Sequence, residues 1–383
     1  MDRAATRFLR KLALFLAPFV IVQLAETILF PIDAFTFRCW EALAVTAHPW
    51  SFLLAPPFYP NRRLEKVETG GLGHRTRFDE KSLAIWQTDA WGFRNGPGAG
   101  GRYDVVLVGD SFAVGTGVSQ EDTLAAQLLR IANLRTYAYA PASLPAFLRE
   151  ERFRTVPRPI VIYQFAESSL SRFIVASGPL APVEGADAAR ADYTPSAASP
   201  ISTSIAVAVD RSGKGALLLS YRARLREWIT AGVSCAVGGD PENVEALGPI
   251  LGSDGETLFL FGRNENREHP AEVANLAVEK LVQFDRAMKE SGFDFLLLPV
   301  PNKENIYHDL LPGRRRPDLL DQVIEGVRLE GVAVIDLQPP LRAARASGVL
   351  TYHRDDIHWN AQGVVLAAQA LAERLPELSN RRR

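Results

Sequence analysis

Four stretches of this chain are apolar at almost every consecutive position: Asp104–Val108, Ile160–Phe165, Asp294–Pro299 and Val332–Leu337. That continuity constrains the fold more than any other feature. A half-exposed strand alternates apolar and polar residues; a run that does not alternate is buried on both faces and belongs to a parallel sheet covered by helices on both sides. Helical patterns fall between the runs. Ser119-Gln120-Glu121-Asp122 reads as a capping-box-like start, with Leu124, Leu128 and Ile131 following at helical spacing. Pro270 to Ser291 reads as a helix with proline in its first turn and Gly292 as its stop, and Asp318–Glu330 as a helix ended by Gly331. Ala361–Leu375 is a final amphipathic helix. The alternation predicts an α/β fold, a doubly wound and mostly parallel sheet whose sites lie at the carboxyl ends of the strands. Residues 175–215 are rich in Ala, Ser, Gly and Pro without a period and read as an insertion or lid, followed by a helix at Leu217–Ile229.

The 383 residues are more than one average domain without clearly making two, and 47% hydrophobic content supports a large core. A net charge of −1 argues against nucleic-acid binding driven by phosphate neutralisation. Two cysteines, Cys39 and Cys235, make neither a disulfide framework nor a zinc cluster. His48, His74, His269, His308 and His353 show no paired metal spacing, so no metal or cofactor is expected. At the N-terminus, Arg3, Arg7, Arg10 and Lys11 precede an apolar run from Leu12 that Glu26 interrupts. As a helix, Leu12 to Phe30 would span roughly 28 Å, about one bilayer core. The expected organisation is a cytoplasmic segment 1–11, an uncleaved transmembrane anchor 12–32, and an exported remainder. A cleaved signal peptide is the rival, without a convincing cleavage site. The exported part divides into an extension 33–102, a catalytic domain 103–376 with an insertion at about 171–267, and a tail 377–383 ending in three solvated arginines.

Gly109-Asp110-Ser111-Phe112 follows directly on the first buried run, so Ser111 lies at a strand end where a substrate can reach it. Near the other end stands Asp355-Asp356-Ile357-His358-Trp359-Asn360. A serine, a histidine and an aspartate are what nucleophilic acyl transfer requires. Asp356 fits an Asp-x-His spacing and Asp355 an Asp-x-x-His spacing; Asp356 is favoured and both stay open. The oxyanion needs preorganised donors. The backbone N–H of Ser111 is the first candidate, with others in the turn Tyr139–Ser143, which contains Ala140, and at the strand end Phe165–Glu167. Glu167 reads equally as a substrate contact or a solvated carboxylate. Lys303 and Tyr307 follow a strand and are expected near the site rim; the alternative is a packed Tyr307 and an exposed Lys303. Trp91-Gly92-Phe93-Arg94-Asn95 reads as a structural turn with a packed Phe.

Together these residues resemble the SGNH (GDSL-type) hydrolase superfamily, and within it the membrane-associated branch of alginate O-acetyltransferase-like proteins. The matching pieces are Trp91 to Arg94, Gly109-Asp110-Ser111-Phe112 with Gly115 and Gly117, Pro301-x-Lys303 with Tyr307, and Asp356-Ile357-His358-Trp359-Asn360 with Gly363. The resemblance implies a flavodoxin-like three-layer α/β/α sandwich and a triad of Ser111, His358 and Asp356, with Trp359 and Asn360 on the substrate side. The superfamily usually carries a glycine and an asparagine in its second and third blocks. Here Ala140 and Ala142 and the segment Gln164 to Glu167 stand in those regions, a departure that favours the acetyltransferase branch. The implied activity is a membrane-anchored, extracytoplasmic serine O-acyltransferase that acetylates a polysaccharide, its acetyl donor supplied by a multi-spanning membrane acyltransferase. An esterase or deacetylase with the same triad is the first alternative. A non-catalytic carbohydrate-binding or scaffold protein is the second, and would be expected to have lost Ser111 or His358.

Overall fold

The computed structural model of the chain describes residues 3–29, 37–43, 57–58, 60–74, 76–96, 101–154, 158–170, 249–260 and 271–380. Most of the expected insertion, its helix at Leu217–Ile229, Cys235, His48, His269, Pro270 and the tail arginines lie outside the described residues. The chain divides into two compact units, residues 1–59 with 195–238 and residues 60–194 with 239–383. In the first, the described residues form helices α1 (Arg3–Leu29) and α2 (Cys39–Leu43), the latter burying Cys39. The stretch 12–32 expected to span a membrane continues α1 as far as Leu29, and 30–32 lie outside the described residues. Among the described residues, no helix is long and apolar enough to cross a membrane.

In the second unit, β1 (Arg63–Glu68) and β2 (Ser82–Gln87) form an antiparallel pair within the expected extension. The main sheet is built on β3 (Val105–Val108), whose four residues are fully buried. It is followed by α3 (Ser111–Val114), α4 (Leu124–Ala132), β4 (Thr136–Tyr139), α5 (Leu144–Leu148) and β5 (Ile160–Ala166). After the short antiparallel pair β6 (Pro249–Leu251) and β7 (Leu258–Leu260) come α6 (Ala271–Glu290) and β8 (Asp294–Val300). The last elements are α7 (Lys303–Ile306), α8 (Leu319–Leu329), α9 (Gln338–Ala346) and α10 (Ala361–Asn380). The strand order is β4-β3-β5-β8, all parallel, and Val334 adds a fifth parallel position against Leu297. Taken in chain order this is the 2-1-3-4-5 arrangement of flavodoxin-like sheets, whose topological switch lies where the first strand meets the third. Ser111 leaves β3 at that point.

Strand alternation sends the two sets of apolar residues to opposite faces. Val106, Val108, Tyr137, Tyr139, Val161, Phe165, Phe295 and Leu297 form one core with α5, α6 and α8. Leu107, Ile162, Leu296 and Leu298 are equally buried on the other face, where α4 and α10 pack on each other and bury Leu124, Leu128, Val364 and Leu371.

Two sequence expectations are corrected. Ser119 does not cap the helix at Leu124: its hydroxyl accepts the Ile85 N–H of β2 at 3.0 Å, leaving a single 3-10 turn at Gln120–Asp122, and Thr123 caps α4 instead. The strand Val332–Leu337 contracts to the one bridge at Val334, and its expected last residue, Leu337, already has helical backbone as the N-cap of α9.

Candidate active site

Asp110 caps the short α3 and so sets where Ser111 stands. One of its carboxylate oxygens accepts the Phe112 N–H at 3.0 Å and the other the Ala166 N–H at 2.9 Å, which pins the turn to the end of β5. Gln164, with no exposed surface, accepts the N–H groups of Asp110 and Ala113 at 3.2 and 2.9 Å. Gly109 lets the strands close here: a Cβ on it would lie 2.5 Å from the Gln164 carbonyl oxygen. Burial pushes the Asp110 carboxyl above its usual range, against the opposing pull of the Phe112 and Ala166 N–H groups.

The other half of the site is a small hairpin from Thr351 to Asn360, closed by the antiparallel bridge Tyr352–Trp359 and by His353 N–H to His358 O at 3.1 Å. It brings His358 Nε2 to 2.8 Å from Ser111 Oγ, across 247 residues of sequence. His358 Nδ1 lies 2.6 Å from Asp356 Oδ1, which also accepts the His358 backbone N–H at 3.0 Å. With Nδ1–H given to the carboxylate, Nε2 faces the serine as an acceptor. Phe112 packs on the His358 ring at 4.9 Å and edge-on to Trp359 at 5.3 Å.

The two adjacent aspartates have different surroundings. Asp356 gives one oxygen to His358 and the other to the Gly71 N–H at 2.7 Å. Asp355 turns away, and its Oδ2 accepts the N–H groups of Gly70 at 2.8 Å and Glu80 at 3.0 Å. Its carbonyl accepts those of Leu72 and Gly73 at 2.9 and 3.1 Å. A Cβ on Gly70 or Gly73 would come within 2.2 or 2.6 Å of Asp355 atoms, so this loop fits only as glycine. Asp356 therefore contacts the histidine, and Asp355 anchors the hairpin.

Lys303 is neither at the rim nor exposed. It is 1% exposed, and its ammonium donates to four carbonyls: Leu258 at 2.8 Å, His353 at 2.6 Å, Arg354 at 2.8 Å and Asp356 at 3.1 Å. Three of those oxygens belong to the histidine hairpin, so Lys303 ties that hairpin to α7 and β7. Burial pushes the amine down to about 8, the neighbouring Glu304, Asp356, Asp355 and Glu80 pulling the other way. Tyr307 is packed and its hydroxyl accepts the Thr351 N–H at 2.7 Å.

Glu167 is 2% exposed, so it is not a solvated carboxylate. Its carboxylate accepts the Asn302 N–H at 2.8 Å and the Asn305 amide at 3.1 Å, joining β5 to the end of β8. Burial raises it to about 7. Between its ordinary value of 4.5 and about 7 the folded chain holds a proton that the unfolded chain has released. Stability from this group is therefore lost as pH rises through that window. Denaturant unfolding followed from pH 4.5 to 8 is expected to lose roughly 3 kcal/mol from it. Glu167→Gln is expected to flatten the profile; an unaltered slope would refute the assignment.

Trp359 is fully buried, and Asn360 caps α10 by accepting the N–H groups of Gln362 and Gly363 at 3.0 and 3.1 Å. Two of the expected oxyanion donors are also engaged. The Ala142 N–H donates to Gly109 O at 2.9 Å, next to a buried Ala140 joined to Pro141, which has no N–H. The Glu167 N–H donates to Val300 O at 2.8 Å. The first N–H groups of a helix lack intrahelical partners. In α3 those of Phe112 and Ala113 are taken by Asp110 and Gln164, while that of Ser111 makes no hydrogen bond among the described residues.

Arg94, read from the sequence as part of a structural turn, has a larger structural part than that reading gave it. It is 1% exposed, lies 3.9 Å over the Trp86 ring, and donates to the carbonyls of Ile85, Val114, Gly115 and Val118. It thereby clamps the turn behind the nucleophile. Asn95 beside it bonds both backbone groups of Ala138 in β4, its Oδ1 accepting the N–H at 2.9 Å and its amide donating to the carbonyl at 3.2 Å. Arg94→Lys, which keeps the charge but loses the planar fork, is expected to cost about 2–4 kcal/mol in denaturant unfolding. A change below about 0.5 kcal/mol, the range of an indifferent surface site, would refute the clamp.

Residues 252–382 match a family model described as SGNH hydrolase-like domain, acetyltransferase AlgX. Over that stretch the chain is similar to an SGNH hydrolase-like domain. A stretch of 135 residues is 32% identical to the probable alginate O-acetylase AlgJ of Pseudomonas putida. The stretch spans 33% of this chain and 33% of that relative, so the chain matches about a third of the relative's length. No solved structure matches the chain. The matched residues of the SGNH-like domain include Lys303, Asp356 and His358 but not Ser111. The folded geometry brings Ser111 Oγ to 2.8 Å from His358 Nε2 within that matched part.

Proposed function

We propose that this chain is an extracytoplasmic serine O-acyltransferase that acetylates hydroxyl groups of a polysaccharide through an acyl-Ser111 intermediate. The observation that carries the reading is the continuous chain from Ser111 Oγ to His358 at 2.8 Å and on to Asp356 at 2.6 Å. Its support is the match to an acetyltransferase family and to a relative named for alginate O-acetylation. His358 Nε2 takes the Ser111 proton as Oγ attacks the acetyl carbonyl of a donor ester, and returns that proton to the leaving oxygen. It then takes the proton of the acceptor hydroxyl as that oxygen attacks the acyl-serine, and gives it back to Ser111 Oγ. Asp356 holds the tautomer and balances the imidazolium. The Ser111 N–H is the leading donor to the oxyanion. The basic residues ahead of the apolar run at Leu12 support an exported domain, and the resemblance to alginate O-acetyltransferase-like proteins supports a membrane-embedded acyltransferase that passes on the acetyl group.

The test is incubation of the purified chain with an activated acetyl ester and a panel of oligosaccharides, following ester loss and oligosaccharide mass together. Acetylated oligosaccharide is expected. Ester loss without acetylated sugar would replace transfer by hydrolysis, and no turnover of the ester would reject both.

A further inference from the structure

Beyond β8, at α7 and α9, lies a cavity of about 580 Å³ that includes Asn305, Asp309, Arg316, Arg342 and Arg345 in its wall. Among the described residues, none of these hydrogen-bonds the triad. The wall is arranged around one oxygen. Asn305 is 1% exposed and gives its amide to the Glu167 carboxylate at 3.1 and 3.2 Å, which fixes its other end. That oxygen accepts from Arg316 at 3.0 Å and from Arg342 at 2.7 Å, so two guanidinium groups converge on a single neutral acceptor. Arg316 has a carboxylate partner in Asp321 at 2.6 Å, and Arg345 has one in Asp309 at 2.7 Å. Arg342 has none within ion-pair distance among the described residues; its one other hydrogen bond goes to the neutral Gln338 side chain, which also accepts from Arg316 at 3.5 Å. Partial burial and the neighbouring Arg316 charge pull the Arg342 guanidinium below its usual range, with Asp321, Asp336 and Glu167 pulling the other way.

Arg316 already has its carboxylate in Asp321, so the guanidinium left without a direct ion-pair partner is Arg342, and a bound anion supplies one. The planar fork of an arginine matches a carboxylate with two parallel N–H···O bonds. The volume suits a small-molecule ligand, since such sites run about 300–1,000 Å³. We infer that this cavity is a second binding site, for a carboxylate carried by a sugar acid or a small organic acid, with Arg342 as its principal contact. The site stands independently of acyl transfer.

Isothermal titration of the full chain at low salt with sodium D-glucuronate, sodium citrate, D-glucose and inorganic phosphate tests it. At least one carboxylate is expected to bind, while glucose does not and phosphate binds more weakly. Glucuronate binding assigns a sugar-acid ligand; citrate binding alone assigns a small organic acid. Arg342→Gln is expected to weaken carboxylate binding at least tenfold, and Arg342→Lys to weaken it as well because the fork is lost, with near-ultraviolet circular dichroism unchanged. If Arg342→Gln does not fold, Arg342→Lys carries the test. Ser111→Ala is expected to bind as wild type, which separates this site from the chemistry. The proposal is overturned if neither carboxylate binds, if glucose or phosphate binds as tightly, or if folded Arg342 variants bind within twofold of wild type.

Discussion

Ser111→Ala and His358→Ala are each expected to lower acetyl-group turnover on the order of 10⁴-fold or more, and the double variant to lower it no further. The reason is that the two side chains act as one unit. Without the imidazole the serine oxygen keeps its proton and is a weak nucleophile; without the serine the imidazole has nothing to activate. Asp356→Asn keeps the shape but replaces one carboxylate oxygen by a donor. Turned one way, the amide loses the ring Nδ1–H bond and favours the wrong tautomer; turned the other, it loses the Gly71 N–H bond. A smaller loss is expected from that change than from removing serine or histidine. Asp355→Asn serves as the contrast: its partners are the backbone N–H groups of Gly70 and Glu80, so its effect should appear in unfolding free energy rather than in the chemical step. Initial rates with an activated acetyl ester, paired with denaturant unfolding of each variant, separate these outcomes. Additive losses in the double variant, or an Asp355→Asn rate loss larger than that of Asp356→Asn, would overturn the assignment.

Lys303→Met is expected to destabilise the domain by about 3–5 kcal/mol, the range for breaking a buried charged network. Methionine fills most of the volume, so the loss reports the polar contacts. Four carbonyl oxygens lose their donor, and three of them are in the hairpin that carries His358. Turnover should fall with the hairpin's order even under conditions where the variant remains folded. A second measurement isolates the amine. Since its folded value is near 8, below the ordinary 10.5, the unfolded chain holds a proton between those values that the folded chain has released. This group therefore adds stability as pH rises from about 8 to 10.5, and Lys303→Met should lack that rise. A variant with wild-type stability and the same alkaline slope would contradict the role given to Lys303.

Much of the sheet was legible in the sequence. A strand buried on both faces must be apolar at successive positions, and β3, β5 and β8 are. The limits of α6 and α8 were legible because glycine follows each. The fifth strand was overcalled, since an apolar run alone does not reveal that the next turn will be taken by a helix opening on two prolines. Lys303 and Glu167 were misplaced for a shared reason. A charged residue after a strand is normally solvated, and burial becomes tolerable only when partners distant in sequence supply hydrogen bonds.

By itself the sequence determined the doubly wound architecture and narrowed the chemistry to Ser111, His358 and one of two aspartates. Local spacing and strand-end position carry that much. Only the tertiary structure decided between Asp355 and Asp356. Adjacent carboxylates on one loop are chemically alike until the backbone of residues 70–80 is folded against them. That backbone then holds Asp355 with N–H groups and leaves Asp356 one oxygen for the histidine. The same holds for the turn behind the nucleophile, where Arg94 finds its acceptors only after β2, the end of α3 and the loop to Val118 have come together. Hydrogen-bond partners drawn from distant segments are fixed by packing, and no local pattern in the chain encodes them.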